Sequence, residues 1–244
     1  MNRMMLIAVL ASPFALAMPA TRAQTIEGAA YITPITDNVQ PLIYGTTFSK
    51  EYLERAAKGE NSRASSKPLA DDGRLAVKFD PDVSRAVREE YIAAIERSSG
   101  AKAARGLDDY YEANDVHALL RKAVAPYGLR VDDLGDVTTA WLVVMWMTAN
   151  QAPLPAVEAV QGVREQTRAA MIEGRRVPAK AEKQRMLEAL AYQTVTLIRV
   201  RESAQEGGND DFLAQLSDSA QATMQRQDLD LRAMALTKDG LVRR

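Results

Sequence analysis

The sequence contains no cysteine and only one histidine, His117. Without cysteine the chain can form no disulfide framework, thiolate nucleophile, thiolate metal site or lipid anchor on a cysteine. One histidine leaves no ordinary zinc site, and it excludes a di-iron bundle, which needs two Glu-x-x-His motifs. A glycine-rich phosphate loop and a nucleophile elbow are also missing. We therefore predict no catalytic residue, no cofactor and no metal, and the sequence favours a protein without enzymatic activity.

An excess of charge of either sign is also lacking. The chain has 31 basic and 32 acidic residues, and its formal net charge is −1. Such a balance provides no electrostatic basis for binding nucleic acid or an anionic membrane surface. We therefore expect neither as a partner.

The N-terminal residues 1–23 have the order of a secretory signal peptide. Arg3 provides a positive start, residues 4–18 form an apolar run, and Thr21 and Ala23 are small residues at a cleavage site. The run is about fifteen residues long, short of the roughly twenty that span a bilayer. We predict cleavage after Ala23, an exported chain that is periplasmic or secreted, and no stable membrane span after cleavage. The alternative is an uncleaved membrane anchor.

Residues 24–78 are predicted to form a flexible or loosely docked tail. This segment is rich in proline, glycine and short polar residues, a composition that buries little apolar surface. Its apolar residues between Tyr31 and Phe48 could instead pack on the domain or bind a partner.

Residues 79–244 are predicted to form an all-α helical bundle of about six helices. Helix starts are indicated by Asp80-Pro81, by Asn114 or Asp115, by Asp132-Asp133 and by Asn209 or Asp210. The longest helix is predicted from about Ala179 to Glu206. The chain is expected to close with a short helical turn over residues 229–236, and no clean pair of strands is expected.

Residues 140–147 are apolar on every side, which is typical of a helix buried among other helices. A buried strand is the alternative, because Val143 and Val144 are β-branched. Trp141, Trp146 and Gln193 are candidates for lining a small-ligand cavity. Gln193 lies within the longest predicted helix, where a buried amide needs a partner and could equally set the helix register.

Further candidates lie near residue 110. Tyr110 and Tyr111 are candidate interaction residues, although core packing is the more common role of tyrosine in such a helix. Nearby acidic residues could hold a hard cation, but helix capping and a solvated surface explain them better. A hydrolase with paired carboxylates would draw on Asp109, Glu112 and Asp136.

The run from Gly128 to Asp136, followed by Thr139-Ala140-Trp141 and Trp146, resembles a family of exported bacterial proteins described only as a domain of unknown function. The resemblance continues through Arg164-Glu165-Gln166 and the segment from Lys183 to Gln193. It ends at Leu236-Thr237-Lys238-Asp239-Gly240-Leu241, and it covers about residues 79–241. Trp141 departs from the tyrosine expected there. The resemblance implies an exported helical domain and supplies no activity, substrate or catalytic residue.

Three functions are compatible with these observations. We expect a non-enzymatic interaction or structural protein of the bacterial cell envelope, with an envelope protein as its partner. A helical bundle that binds a small ligand is the first alternative. A carboxylate-based envelope hydrolase is the second.

Overall fold

The computed structural model describes residues 73–173 and 177–244, so the predicted signal peptide and residues 24–72 of the predicted tail lie outside the described residues. Within the described ranges the chain forms seven α-helices and one two-stranded sheet, which confirms the predicted all-α class. The helices are α1 Pro81–Ser99, α2 Ala101–Ala113, α3 Val116–Val124, α4 Leu134–Ala149, α5 Val157–Glu173, α6 Lys180–Glu206 and α7 Asp210–Gln225. The strands are β1 Met234–Thr237 and β2 Gly240–Arg243.

Four helices begin at the capping residues that the sequence indicates. The side chain of Asp80 accepts a hydrogen bond from the backbone N–H of Asp82, at 2.9 Å. Asp115 caps α3, Asp133 caps α4 and Asn209 caps α7. Each side-chain oxygen satisfies an N–H group that has no acceptor within the helix. Of the two pairs of alternatives, the structure selects Asp115 and Asn209.

Helix α4 is the centre of the bundle. Every residue from Leu134 to Ala149 is buried except Trp146, because α5, α6 and α7 pack around the helix. This arrangement confirms the buried helix and excludes the strand alternative for residues 140–147. Across residues 73–173 and 177–244, no helix combines the length and apolar composition needed to cross a membrane.

Helix α6 packs against α1, α3, α4 and α7. Its residues from Met186 to Leu197 are all buried, and they include charged and polar side chains as well as apolar ones. A helix enclosed on several sides in this way must provide hydrogen-bond partners for its polar side chains. These polar side chains therefore determine how α6 sits against its neighbours.

The C-terminal segment differs from the prediction. Residues 231–233 form a single 3₁₀ turn, and β1 and β2 then pair as an antiparallel hairpin. The predicted helical turn over 229–236 is therefore present only at residues 231–233, and the expectation of no strand pair is wrong. The hairpin lies on α5, which contacts both strands and provides the packing that two four-residue strands lack on their own.

The chain is already packed on the bundle before the first helix. Leu75 is buried, and its carbonyl accepts a hydrogen bond from the N–H of Leu134 at 2.9 Å. The N–H of Val77 donates to the carbonyl of Asp132 at 2.8 Å. These contacts join residues 75–77 to the start of α4. The division of the chain at residues 78 and 79 stays a prediction, because residues 24–72 lie outside the described part.

Candidate functional site

A cavity of about 400 Å³ lies between α3, α4 and α6, next to the loop that joins α4 to α5. Its volume falls within the roughly 300–1,000 Å³ of pockets that bind small molecules. Most of the wall is apolar and comes from Ala123, Val124, Leu129, Ala140, Val143, Val144, Met147, Pro153, Leu154, Val160 and Ile198.

The polar residues of the cavity are concentrated at one end. Arg201, Glu202, Gln205 and Glu206 belong to the last two turns of α6, whereas the remaining wall is almost entirely apolar. Thr194 also lines the cavity, but its hydroxyl donates to the carbonyl of Leu190 at 2.7 Å and so is committed to its own helix. The cavity therefore has an apolar body and a polar end.

Leu154 lines the cavity and is 48% exposed. It follows Pro153 in the loop between α4 and α5, and it places an apolar side chain in water beside the cavity. The loop thus extends the apolar surface of the cavity to the protein exterior.

Trp141 and Gln193 lie behind the cavity and do not line it. Trp141 is 2% exposed, and its indole Nε1 donates to Oε1 of Gln193 at 3.0 Å. Their neighbours Ala140 and Thr194 line the cavity instead. Adjacent residues on a helix point about 100° apart, so the two candidates lie on helices that form the cavity but face away from its wall.

Trp146 is half-buried and has a different role from Trp141. Its Nε1 donates to the carbonyl of Met234 at 3.0 Å, which connects α4 to the start of β1. Trp146 is not among the residues that line the cavity. The contact it makes holds the C-terminal hairpin to the bundle.

Tyr110 and Tyr111 point to different surroundings. Tyr111 is buried, and its hydroxyl lies 2.8 Å from Oγ1 of Thr196 and donates to the carbonyl of Tyr192 at 3.3 Å. Tyr110 is half-buried, and the guanidinium of Arg199 lies 5.8 Å from the centre of its ring. The pKa of both tyrosines is raised by burial, so their hydroxyls stay protonated at neutral pH.

A second polar cluster lies where α1, α3 and α6 meet. Glu188 is fully buried, and its Oε1 accepts from the hydroxyl of Ser84 and from Nε2 of Gln184, each at 2.7 Å. Glu188 Oε2 and Nε2 of His117 are buried without a hydrogen-bond partner. Burial lowers the pKa of His117, while the charge of Glu188 acts in the opposite direction. His117 is therefore neutral at pH 7.

The three acidic residues considered for a hydrolase site differ in their burial. Asp109 and Glu112 are exposed on α2, whereas Asp136 is fully buried on α4. In the described ranges, no group of three or more histidine, cysteine or acidic residues could hold a metal ion. Asp108 forms an ion pair with Arg88 at 2.6 Å.

The family model of DUF6683, described as a family of unknown function, matches residues 4–244. The chain belongs to this family. No curated protein and no solved structure matches the chain. The resemblance to a domain of unknown function is thus confirmed, and the match extends well beyond residues 79–241.

Two of the segments that resemble the DUF6683 family meet in a buried ion network. Asp136 contacts Arg164, whose guanidinium Nε is 2.6 Å from Oδ1, and Arg130, whose backbone N–H donates to Oδ2 at 3.0 Å. Asp133 accepts from Arg130 and from Arg168, each at 2.7 Å. Both carboxylates are completely buried, so these partners are needed to offset the loss of hydration.

The closing segment of the DUF6683 resemblance docks on α5. Gln166 accepts from the backbone N–H of Leu241 at 3.0 Å, and its amide donates to the carbonyl of the same residue at 3.1 Å. Gly162 lies directly beneath the turn, because a Cβ atom there would be 2.3 Å from the carbonyl oxygen of Lys238. The segments of the resemblance thus build mainly structural contacts, and they contribute Leu129 and Ala140 to the cavity wall.

Sequence reasoning missed the cavity residues at the end of α6 and the buried arginine of the network. Arg201 looks like an ordinary charged residue near a helix end, and Arg168 reads as one of several arginines in a polar stretch. A usable signal was the spacing of Thr194, Ile198 and Arg201, which places the three residues on one face of α6.

Proposed function

We propose that the chain is a non-enzymatic binding protein for a small molecule with an apolar body and one polar group. The observation that supports this proposal is the cavity between α3, α4 and α6, with its apolar wall and its polar end on α6. Small-molecule sites commonly have this composition, in which the apolar wall provides affinity and a few polar groups fix the orientation.

The proposal can be tested with N-phenyl-1-naphthylamine, a neutral apolar fluorophore whose emission rises in an apolar site. We expect the purified protein to bind this probe with saturable enhancement and a ratio near one to one. Ala123→Trp places a large ring on the cavity wall and should abolish the signal. Ala118→Trp introduces the same ring at an exposed position of α3, which does not line the cavity, and should leave it unchanged.

Circular dichroism and thermal melting should show both variants folded before the titrations are compared. Equal probe binding by wild type and Ala123→Trp would contradict the proposal, because the probe would then bind elsewhere. An absence of saturable binding to the folded wild type would contradict it as well.

We further propose that the protein acts in the bacterial cell envelope or outside the cell after removal of residues 1–23. The support is the order of charge, apolar run and small residues in that segment. Expression of the full chain in a bacterium, followed by fractionation and mass spectrometry, tests it. A mature chain beginning at Gln24 in the periplasm or medium is expected, and an intact chain in the cytoplasm would contradict the proposal.

A partner protein in the envelope is a second proposed function. Leu154 and Val157, at 48% and 44%, are the large apolar residues with the greatest exposure in the described chain. They lie close together, before and at the start of α5. Crosslinking with a photoreactive residue at position 157, followed by mass spectrometry, should yield one stoichiometric partner. The same crosslinker at exposed position 118 is the control, and identical products from both positions would contradict the proposal.

A further inference from the structure

The polar end of the cavity contains a cation that is not neutralised by an acidic side chain. Nη2 of Arg201 donates to the backbone carbonyl of Ala152 in the loop between α4 and α5. Across the described ranges, no carboxylate forms an ion pair with this guanidinium. A guanidinium has five N–H donors and no acceptor, so its single carbonyl contact leaves most of its hydrogen-bonding capacity available.

The unused hydrogen-bonding capacity of the Arg201 guanidinium costs free energy, because the side chain is partly removed from water. The side chain is half-buried at the cavity, and burial lowers its pKa because desolvation disfavours the charged form. An arginine nevertheless keeps its charge at any physiological pH. An anion bound beside it would therefore recover part of the lost hydration energy.

The neighbouring acidic residues do not replace such an anion. The carboxylate of Glu202 lies 3.1 Å from Nη1 of Arg199 and is neutralised there. Glu206 is exposed in the last turn of α6, where water and salt screen its charge. Arg201 is consequently the cavity residue best placed to recognise a charged ligand group.

We infer that the cavity binds an amphipathic monocarboxylate, with its carboxylate on the guanidinium of Arg201 and its aliphatic body along the wall towards Thr194. This inference rests on the proposed function, because it requires the cavity to be a ligand site. Planar carboxylate and guanidinium groups form two parallel hydrogen bonds, which also fixes the orientation of the ligand. Thr194 and Arg201 are seven residues apart on α6, about 10 Å along the axis, which accommodates a medium-length aliphatic chain.

The experiment compares decanoate with decanol, which has the same chain and no charge. Decanoate is titrated below its critical micelle concentration and decanol below its solubility limit in water, and displacement of N-phenyl-1-naphthylamine reports binding. We expect wild type to bind decanoate at least tenfold more tightly than decanol. Arg201→Gln should lose this preference while binding decanol as before. Arg85→Gln removes an exposed arginine of α1 and should retain the wild-type preference.

The outcomes separate this inference from the proposed function. Equal affinity of wild type for decanoate and decanol, or a preference that survives in Arg201→Gln, overturns the inference and leaves the cavity as a ligand site. If the fluorophore binds but decanoate does not displace it, the inference is likewise overturned and the cavity remains a ligand site. If neither the fluorophore nor decanoate binds, both the inference and the proposed function are overturned. Thermal melting of the two arginine variants confirms that they are folded.

Discussion

The indole of Trp141 and the side-chain amide of Gln193 form a buried hydrogen bond of 3.0 Å between α4 and α6. These two helices also form the main wall of the cavity. Since the amide is fixed by the indole, it positions one helix against the other and is not directed at a ligand. The pair therefore determines the spacing on which the shape of the cavity depends.

We expect Gln193→Leu to lower the free energy of unfolding by about 1–3 kcal/mol, because the indole N–H of Trp141 loses its buried acceptor. Urea unfolding monitored by circular dichroism measures the change. Gln215→Leu is the matched control, since Gln215 is exposed on α7, and it should shift stability by no more than about 0.5 kcal/mol. A Gln193→Leu protein as stable as this control would show that the contact has no role in stability.

Because the ion network around Asp133 and Asp136 is buried, we expect the removal of one charge from it to lower the free energy of unfolding strongly. Asp136→Asn keeps the size of the side chain but removes the charge that neutralises Arg164, and it should cost about 3–5 kcal/mol of stability. Asp218→Asn is the comparison, because Asp218 is exposed and pairs with Arg232 at 2.6 Å. That surface pair should contribute at most about 1 kcal/mol. Similar losses for both variants in urea unfolding would contradict the role assigned to burial.

The sequence indicates local features well and distant contacts poorly. The caps at Asp80 and Asp133 are predicted because the signal and its effect lie within one helical turn. The contact of Asp136 with Arg164 could not be predicted, because Arg164 is 28 residues further along the chain and meets Asp136 only when α4 and α5 pack. The same holds for Arg201, whose position beside a cavity depends on three helices.

The C-terminal hairpin shows a different limit of prediction from the sequence. The dipeptide Asp239-Gly240 is a common sequence signal for a hairpin turn, and in the structure Lys238 and Asp239 form the two-residue loop before Gly240 pairs with Thr237. The strands are only four residues long and do not form a stable hairpin alone. Their stability comes from α5, which the pattern of residues 234–243 does not reveal.

Docking of that hairpin predicts opposite effects for two glycine substitutions. Gly162→Ala places a methyl group against the backbone of Lys238 and should destabilise the protein, because backbone atoms cannot move aside. Gly106→Ala lies in α2 with open space around it and should stabilise the protein by about 0.5–1 kcal/mol. Thermal melting compares them.

Hydrogen exchange of the amides in β1 and β2 locates the effect of Gly162→Ala. Faster exchange confined to the hairpin is expected, because the contact with α5 is lost first. Unchanged exchange in the hairpin, or equal melting temperatures for the two alanine variants, would contradict the close contact between Gly162 and Lys238.

The burial of His117 predicts how the free energy of unfolding depends on pH. Burial lowers its pKa from the ordinary value of 6.5, whereas Glu188 on α6 and Asp115 at the N-cap of α3 act to raise it and Arg121 on α3 acts to lower it. Because the folded pKa is lower, the unfolded chain binds more protons as the pH falls below 6.5. Stability should therefore decrease from about pH 6.5 down to the pKa of the folded state, below which this contribution changes no further.

The chain has a single histidine, so NMR observation of its ring protons gives an unambiguous titration. We expect a midpoint below 6.5 in the folded protein. His117→Gln should also flatten the loss of stability between the folded pKa and 6.5, measured as the difference between the urea unfolding free energies of wild type and variant across that range. A midpoint above 6.5 would mean that the carboxylates of Glu188 and Asp115 outweigh burial, and the pH dependence would then reverse because protonation would stabilise the fold.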